Sequence, residues 1–362
     1  MRNEAVCAYM IEKDLDAVLF LLSDTIHWYF EGEVDARVDQ SCERAAFFLL
    51  VTKDVVIAIC PEYDFYRLKE EVLPKNVEIL SYSVDEGPEN ALKRFCRPFE
   101  KLRMDTAYPD ICCFETLEND FFLIMQELND REIMKLRVMG KLSEGIMHEF
   151  APELQPGMTE LEIEKVLRAI LIESGLEVPV LCVGSDDRIE RYRFPFSTNK
   201  KVSRYLFIRA QVRKHGLRIA FSRYFHFGAV PQPIQENHEK VAGVFARAAV
   251  VMMKASSMGE VFEEIASSYS SLGIKVDSVQ YPAGGSLGYS DRRFLISQGS
   301  AIQLKTPSSY VLSPFVNGAF SEDTILLKEN GKAEFITLGE DFPKVKVRLE
   351  SFRVHRPWIL VI

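Results

Sequence analysis

The sequence predicts a two-domain protein of the α/β (α+β) class. Its 362 residues exceed what one ordinary hydrophobic core organises, so we expect two domains. The first third alternates strand-like and helix-like segments, whereas the middle of the chain carries long amphipathic helices. The hydrophobic fraction of 47% and the charged fraction of 27% are typical of a globular protein with a large core.

The first third contains short apolar runs that are typical of β-strands. Strands are predicted at 15–22, 47–51, 55–60, 77–81 and 110–114, and a segment with helical spacing at 63–72. A charged segment near residue 130 then opens a long amphipathic helix that runs to Phe150. We therefore place one domain at 1–125, a second at 126–343 and a packed C-terminal tail at 344–362.

The second domain begins with helices joined by a tight turn and ends in strands. Pro156 and Gly157 form the turn, and Thr159 with Glu162 three residues later forms a capping box for the next helix. The polar residues at 289–293 indicate a loop, and the apolar end of the chain indicates an edge strand. Further helices are predicted at 235–256 and 261–272, and strands at 180–183, 205–212, 218–227, 301–306, 323–328 and 333–338.

Charge and hydropathy exclude several classes of function. The formal net charge of -9 argues against general nucleic-acid binding, which needs a basic face. No run approaches the roughly 20 apolar residues of a membrane span, and residues 1–16 lack the apolar core of a signal peptide. The seven cysteines include no Cys-x-x-Cys pair and predict free thiols, with adjacent Cys112 and Cys113 as a strained redox-active alternative. We expect a cytoplasmic protein without a membrane partner.

Several segments resemble, in order and spacing, those of the creatinase and Xaa-Pro aminopeptidase family. The resemblance covers nearly the whole chain and implies a creatinase-like N-terminal domain at 1–125 and a pita-bread domain at 126–343. It also implies a homodimer and an ancestral activity on the amino end of peptides. The segments that carry it are 15–20, 25–26, 29–32, the helix from 131, 155–162, 197–200, 222–225, 284–288 and 321–326.

Active members of this family bind two divalent metal ions through two Asp, one His and two Glu side chains. Only one acid remains at the five corresponding positions, and two of the replacements are cations that would repel metal ions. A histidine used in creatinase-type hydrolysis is absent from 191–199, and arginine is too basic to act as a general base. The resemblance therefore predicts no metal, no other cofactor and no metallopeptidase activity. The five positions are Arg209, Ala220, Gly285, Lys305 and Glu322.

The altered site suggests a ligand-binding function. Arg209 and Lys305 would supply the positive charge of the missing metal ions, with Glu322 as their counter-ion. Together with Arg223 they are the expected ligand-binding residues. The expected ligand is a small anionic molecule or a peptide, or else a protein partner. A purely structural ion pair is the simpler alternative.

A metal-independent hydrolase of peptide or amidino C–N bonds is the alternative function on the same fold. Residues 284–288 fit Gly-x-Ser-x-Gly around Ser286, and Asp323 and His355 follow in the order of an α/β-hydrolase triad. A nucleophile elbow needs a strand before the serine and a helix after it, which the polar segment 289–293 does not predict. A basic cluster favours either an anionic partner or a solvated loop. Its members are Arg188, Arg191, Arg193, Lys200, Lys201 and Arg204.

Overall fold

A computed structural model describes residues 1–108, 114–275 and 283–362. Contacts between Cα atoms divide the chain into two units, Met1–Met125 and Gln126–Ile362. Both units mix helices with sheets, which confirms the predicted α/β (α+β) class. Cys112, Cys113 and all but the last residue of the strand predicted at 110–114 lie outside the described residues. No helix in the described ranges is long and apolar enough to cross a membrane.

The first unit is built on one mixed sheet. Its elements are, in chain order, α1 (Asn3–Glu12), β1 (Ala17–Leu22), α2 (Ser23–Tyr29), β2 (Arg44–Thr52), β3 (Val56–Pro61), α3 (Phe65–Arg67), β4 (Glu78–Tyr82), α4 (Gly87–Cys96), β5 (Leu102–Met104), β6 (Glu115–Thr116) and α5 (Asn119–Ile124). The strands lie in the order β4-β3-β2-β1-β5-β6. Alternate residues of β1 enter one core cluster with residues of β2, β3, β5 and α4, because successive side chains of a strand face opposite sides. Short helical turns span the predicted helix at 63–72.

The described part of the second unit carries the long helices and four sheets. Its elements are α6 (Asp130–Phe150), α7 (Glu160–Glu173), β7 (Glu177–Ser185), α8 (Asp187–Arg191), β8 (Tyr205–Lys214), β9 (Leu217–His226), α9 (Gln232–Met252), α10 (Met258–Ser271), β10 (Gly284–Leu287), β11 (Asp291–Leu295), β12 (Ser308–Leu312), β13 (Phe315–Val316), β14 (Ala319–Phe320), β15 (Asp323–Leu327), β16 (Ala333–Phe335), β17 (Lys344–Leu349), β18 (Phe352–Pro357) and β19 (Ile359–Val361). The two larger sheets have the orders β19-β9-β8-β7 and β11-β10-β12-β15-β16, and β13-β14 and β17-β18 form pairs.

Two local predictions for the second unit are confirmed, the capping box of α7 and the edge strand at the end of the sequence. Thr159 and Glu162 form the predicted capping box of α7, in which Glu162 N donates to Thr159 Oγ1 at 3.2 Å and Thr159 N donates to Glu162 Oε2 at 2.7 Å. The apolar end of the chain forms the predicted edge strand, since β19 pairs in parallel with β9. The residues of the expected tail at 344–362 lie inside the second unit.

Two predictions around β12 are wrong. The strand predicted at 301–306 forms one isolated bridge, and the true strand β12 begins only after Pro307. A proline has no N–H group for a ladder, which explains why pairing starts beyond it. The predicted loop at 289–293 contains the start of β11, whose charged residues are stabilised by antiparallel pairing with β10.

Candidate functional site

The two larger sheets of the second unit meet beside Glu322. Ser222 N in β9 donates to Glu322 O at 2.9 Å, and Glu322 N donates to Ser222 Oγ at 3.0 Å. Two residues further along, Thr324 Oγ1 accepts a hydrogen bond from Ala220 N at 2.9 Å and donates one to Ala220 O at 3.0 Å. These bonds fix the backbone of residue 322, so the position of its side chain is set by two sheets. The side chain of Glu322 is fully buried.

Two arginines bind the buried carboxylate of Glu322. Arg209 in β8 donates from Nε to Oε2 at 2.8 Å and from Nη2 to Oε1 at 3.2 Å. Arg292 in β11 donates from Nη2 to Oε1 at 2.7 Å. Charge-assisted bonds of this kind are among the strongest that a carboxylate forms in proteins. The sequence-based pairing of Arg209 with Glu322 is therefore formed.

Arg292 belongs to this site, although it is not one of the five positions that the resemblance assigns to metal ligands. Its Nη1 donates to Asp291 Oδ1 at 2.6 Å and to Gln211 Oε1 at 3.4 Å. Arg292 has φ +47°, a left-handed backbone conformation that is uncommon for residues other than glycine. The only sequence signal was its position shortly after the glycine-rich segment 284–288.

Lys305 does not join Glu322, contrary to the expectation. Its Nζ lies 4.0 Å from Glu127 Oε1, and its side chain is one-third exposed. The backbone of Lys305 is held by Tyr310, whose hydroxyl accepts from Lys305 N at 2.6 Å and donates to Lys305 O at 3.0 Å. Because this loop precedes Pro307 and is outside the ladder, the Lys305 side chain extends toward Glu127. A ligand-binding role for Lys305 stays a prediction.

Ala220 and Gly285, two further positions that the resemblance assigns to metal ligands, carry no ligating side chain. Ala220 belongs to a buried apolar cluster with Leu287 and Val311. A Cβ atom at Gly285 would lie 2.5 Å from Phe294 O, so a histidine does not fit there without a backbone shift. No group of three or more His, Cys, Asp or Glu side chains in the described ranges could hold a metal ion. With Glu322 bound by two guanidinium groups, these residues do not fit the two-metal centre.

The surroundings of Arg209 are apolar on one side and polar on the other. Burial acts to lower the pKa of Arg209, but Glu322 counteracts this effect and the pKa lies above its usual value. The ring centroid of Phe194 is 4.7 Å from Arg209 Cζ, and Phe194 itself is 37% exposed. Cys182 lies opposite Arg209 in the β7–β8 register, and burial raises the pKa of its thiol. Arg209 therefore stays charged at the edge of a partly exposed aromatic surface.

Arg223 is placed in a second, enclosed cluster. Its Nη1 donates to Asp323 Oδ1 at 3.0 Å and to Ser222 O at 2.6 Å, and its Nη2 donates to Thr337 O. Arg356 binds the other oxygen of Asp323. The side chains of Arg223, Arg356 and Asp323 are each 1% exposed. This arrangement makes Arg223 a partner of Asp323 and leaves its expected ligand contact as a prediction.

The serine triad of the alternative function is not assembled. Ser286 lies inside β10, where its Oγ accepts a hydrogen bond from Phe294 N at 3.1 Å, and another strand follows instead of a helix. Asp323 is bound by two arginines and by Thr337 Oγ1 at 2.7 Å. His355 is exposed on β18. The wider expectation of a metal-independent hydrolase then has no assigned nucleophile and stays a prediction.

Most of the basic cluster at 188–204 forms contacts with other residues of the chain. Arg188 binds the buried Glu160, Arg191 and Lys200 both bind Asp187, and Arg193 Nη2 donates to Ser313 O at 2.7 Å. Lys201 and Arg204 are exposed. These contacts favour the interpretation of this cluster as a solvated loop face.

Comparisons with known proteins give the family. The model of the metallopeptidase family M24 matches residues 134–329. The chain is similar to the X-Pro aminopeptidase from Thermotoga maritima MSB8, with 17% identity, a TM-score of 0.76 and coverage of 100% of this chain and 99% of that chain. It is also similar to the dipeptidase PepE from Mycobacterium ulcerans, with 14% identity, a TM-score of 0.81 and coverage of 100% and 97%.

A third similar solved structure is named as a subunit of a complex and not as a peptidase. The N-terminal domain of the FACT complex subunit SPT16 from Cicer arietinum (chickpea) has 11% identity, a TM-score of 0.67 and coverage of 94% of both chains. No curated protein matches the chain. At such identities the solved structures show the fold alone, and this is the two-domain pita-bread fold that the resemblance predicts. The family match spans more than half of the sequence, and the chain therefore belongs to the metallopeptidase family M24.

Proposed function

We propose that this M24 protein binds a peptide or another small anionic ligand beside Glu322 and performs no metal-dependent hydrolysis. The observation that carries the proposal is the binding of Glu322 by Arg209 and Arg292. A metal ion at this carboxylate would have to displace both guanidinium groups or lie next to two positive charges. Separating a buried carboxylate from its partners is costly, which supports a site that works without metal.

The neighbourhood of Arg209 supports a peptide as the ligand. The guanidinium plane of arginine can bind a carboxylate with two hydrogen bonds, and Arg292 offers a second cation that is 19% exposed. Phe194 covers Arg209, and Tyr192 and Phe196 of the same segment are 50% and 79% exposed. Aromatic rings beside a few fixed polar groups are common in ligand sites. Two of the similar solved structures are named for X-Pro aminopeptidase and dipeptidase, whose substrates are peptides.

The absence of metal-dependent hydrolysis is tested on the purified chain. The protein is incubated with manganese, cobalt or zinc, the bound metal is measured by mass spectrometry, and hydrolysis of an Xaa-Pro dipeptide is followed in parallel. We expect far less than one metal ion per chain and no turnover. One or more ions per chain together with turnover would contradict the proposal.

Peptide binding is tested separately by calorimetric titration with the same dipeptide. We expect Phe194→Ala to weaken binding about fivefold, which corresponds to about 1 kcal/mol. Phe352→Ala is the matched control, because Phe352 is also a half-buried ring near a cation, Lys254, and lies on the C-terminal hairpin. Equal loss in both variants, or no binding by the unmodified protein, would contradict peptide binding at Glu322.

We also propose that the protein is a cytoplasmic homodimer, on the basis of the family resemblance. Light scattering after size-exclusion chromatography should give the mass of two chains. The mass of a single chain at micromolar concentration would contradict the dimer.

A further inference from the structure

The β17–β18 hairpin has one strongly basic face. Its strands pair in antiparallel register, in which Lys346 lies opposite His355 and Arg348 opposite Arg353. Successive side chains of a strand alternate between faces, so residues two apart share one face. The exposed basic residues of this face, called here the hairpin basic face, are Lys344, Lys346, Arg348, Arg353 and His355.

The opposite face of the hairpin is directed toward the protein. Val354 and Arg356 are buried, and helix α9 packs against both strands. Arg356 donates to Asp323, and its Cζ lies 3.3 Å from the ring centroid of Phe245 in α9. The hairpin is thus anchored through its inner face, which fixes the direction of the outer one.

The hairpin basic face has a cost in stability that its own neighbours do not offset. Arg348 and Arg353 are directly opposite each other, and like charges in that position destabilise a pair of strands. Among the described residues, no acidic side chain forms an ion pair with Lys346, Arg348 or Arg353. The protein as a whole has a net charge of -9, so a concentration of unpaired cations is not a consequence of its composition.

We infer that the hairpin basic face is a docking surface for an acidic, extended polypeptide segment of a partner protein. Same-face residues of a strand repeat every 6.6–6.8 Å or so, which is about twice the rise per residue. An extended acidic segment places alternate carboxylates at the same spacing, so successive carboxylates meet successive cations of β17. The arginines of this face can each bind a carboxylate with two hydrogen bonds.

Nucleic acid fits this face less well than an acidic polypeptide. Binding of single strands combines a basic groove with aromatic rings on which the bases stack. Among the five outward side chains of the hairpin, His355 is the one with an aromatic ring, and none is a Phe, Tyr or Trp. Duplex binding is associated with strongly basic domains, whereas this sequence has a pI near 5.4. The face also lies beyond residue 329, where the family match ends, and the inference is independent of the function proposed for Glu322.

The inference is tested with the full chain and a labelled peptide of alternating Glu and Ser residues that is long enough to span β17. Fluorescence anisotropy should show binding that weakens as salt is added. The triple variant Lys346→Glu, Arg348→Glu, Arg353→Glu should weaken binding at least about tenfold, or about 1.4 kcal/mol. A matched triple variant, Lys141→Glu, Lys165→Glu, Lys332→Glu, changes the net charge equally at exposed positions on other elements and should leave affinity nearly unchanged.

Three results would overturn the inference. Equal losses in the two triple variants would mean that the peptide responds only to net charge. Unchanged affinity in the hairpin variant would exclude the hairpin as the binding surface. Displacement of the peptide by a single-stranded oligothymidine at lower concentration than by unlabelled peptide would favour nucleic acid. If circular dichroism shows that the hairpin variant is unfolded, the glutamine substitutions of the same three residues replace it.

Discussion

Glu322 and Asp323 are consecutive residues with fully buried carboxylates, and each carboxylate is bound by two arginines. Their settings nevertheless differ. The arginines of Glu322 are 10% and 19% exposed, whereas Arg223 and Arg356, which bind Asp323, are each 1% exposed. Glu322 binds Arg209 and Arg292, whereas Asp323 binds Arg223 and Arg356.

The difference separates a site from a structural cluster. The Glu322 cluster includes Asp291, whose side chain is 34% exposed, and it borders the exposed aromatic segment around Phe194. The Asp323 cluster is closed by Phe245 and by the hairpin that carries Arg356, whose pKa burial lowers to about 10. Similar ion pairs can therefore serve a surface that admits a ligand or a core that excludes water.

The largest expected effect follows from removing the charge of Asp323. The substitution Asp323→Asn should lower the free energy of unfolding by about 3–5 kcal/mol, because it leaves two buried guanidinium groups without a counter-ion. Urea denaturation measures this loss. Asp291→Asn is the control, because Asp291 also binds an arginine but is partly exposed, and it should cost about 1 kcal/mol or less. Equal losses would remove the distinction between the clusters.

The free energy of unfolding should depend on pH because of a buried histidine beside the enclosed Asp323 cluster. His238 lines a cavity of about 20 Å³ together with Asp323 and Arg223, and burial lowers its pKa to about 3. An unfolded histidine has a pKa near 6.5, so below that pH the unfolded chain binds the extra proton. Stability is therefore complete above about pH 6.5 and falls with pH by up to about 1.4 kcal/mol per unit until the folded pKa is reached.

The measurement is urea denaturation at a series of pH values. Between about pH 6.5 and 5 the unmodified protein should lose about 2 kcal/mol more than His238→Gln does. His148→Gln is the control, since His148 is exposed on α6, and its pH profile should match that of the unmodified protein. Identical profiles for all three proteins would show that water reaches His238 and that the Asp323 cluster is not enclosed.

The Glu322 cluster should respond to charge removal less severely and with a gain in binding. Glu322→Gln should cost about 1–2 kcal/mol of unfolding free energy, since Arg209 and Arg292 can turn partly toward water. It also frees both guanidinium groups, so the dipeptide of the calorimetric assay should bind about tenfold more tightly. A stability loss as large as that of Asp323→Asn, with no gain in affinity, would make Glu322 a structural residue.

The smallest expected effect concerns the β17–β18 hairpin. Strand β18 carries one arginine that faces the core and one that faces solvent. Arg356 faces the core and Arg353 faces solvent opposite Arg348. Arg353→Glu replaces a like-charged pair by an oppositely charged one and should raise the free energy of unfolding by about 0.2–1 kcal/mol. Thermal melting measures the change. Lys332→Glu, at an exposed turn, should give no comparable gain, and a lower melting temperature for Arg353→Glu would contradict the expected repulsion.

The sequence predicted those parts of the molecule that depend on local patterns. Apolar runs identified β1 to β4 in the first unit and β7 to β9, β15, β16 and β19 in the second, but they missed the short or polar strands such as β5, β10, β11, β17 and β18. The capping box of Thr159 and Glu162 identified the start of α7. Family position identified the Arg209–Glu322 pair. The role of Arg292 was not predicted, because Arg292 lies in a polar segment that forms a strand and has a left-handed backbone conformation. The position of the Lys305 side chain was predicted wrongly, because Lys305 lies in a loop before Pro307 that directs its side chain toward Glu127. Arg356 reaches Asp323 over 33 residues, a contact with no local signal.

Guanidinium groups bind the carboxylate of Glu322, which we propose takes no metal ion. The most direct test is X-ray diffraction at the manganese absorption edge from crystals soaked in manganese. We expect no anomalous peak at ligand distance from Glu322, with Arg209 and Arg292 still hydrogen-bonded to it. A peak bonded to Glu322, with the two arginines displaced, would show that this carboxylate is a metal ligand.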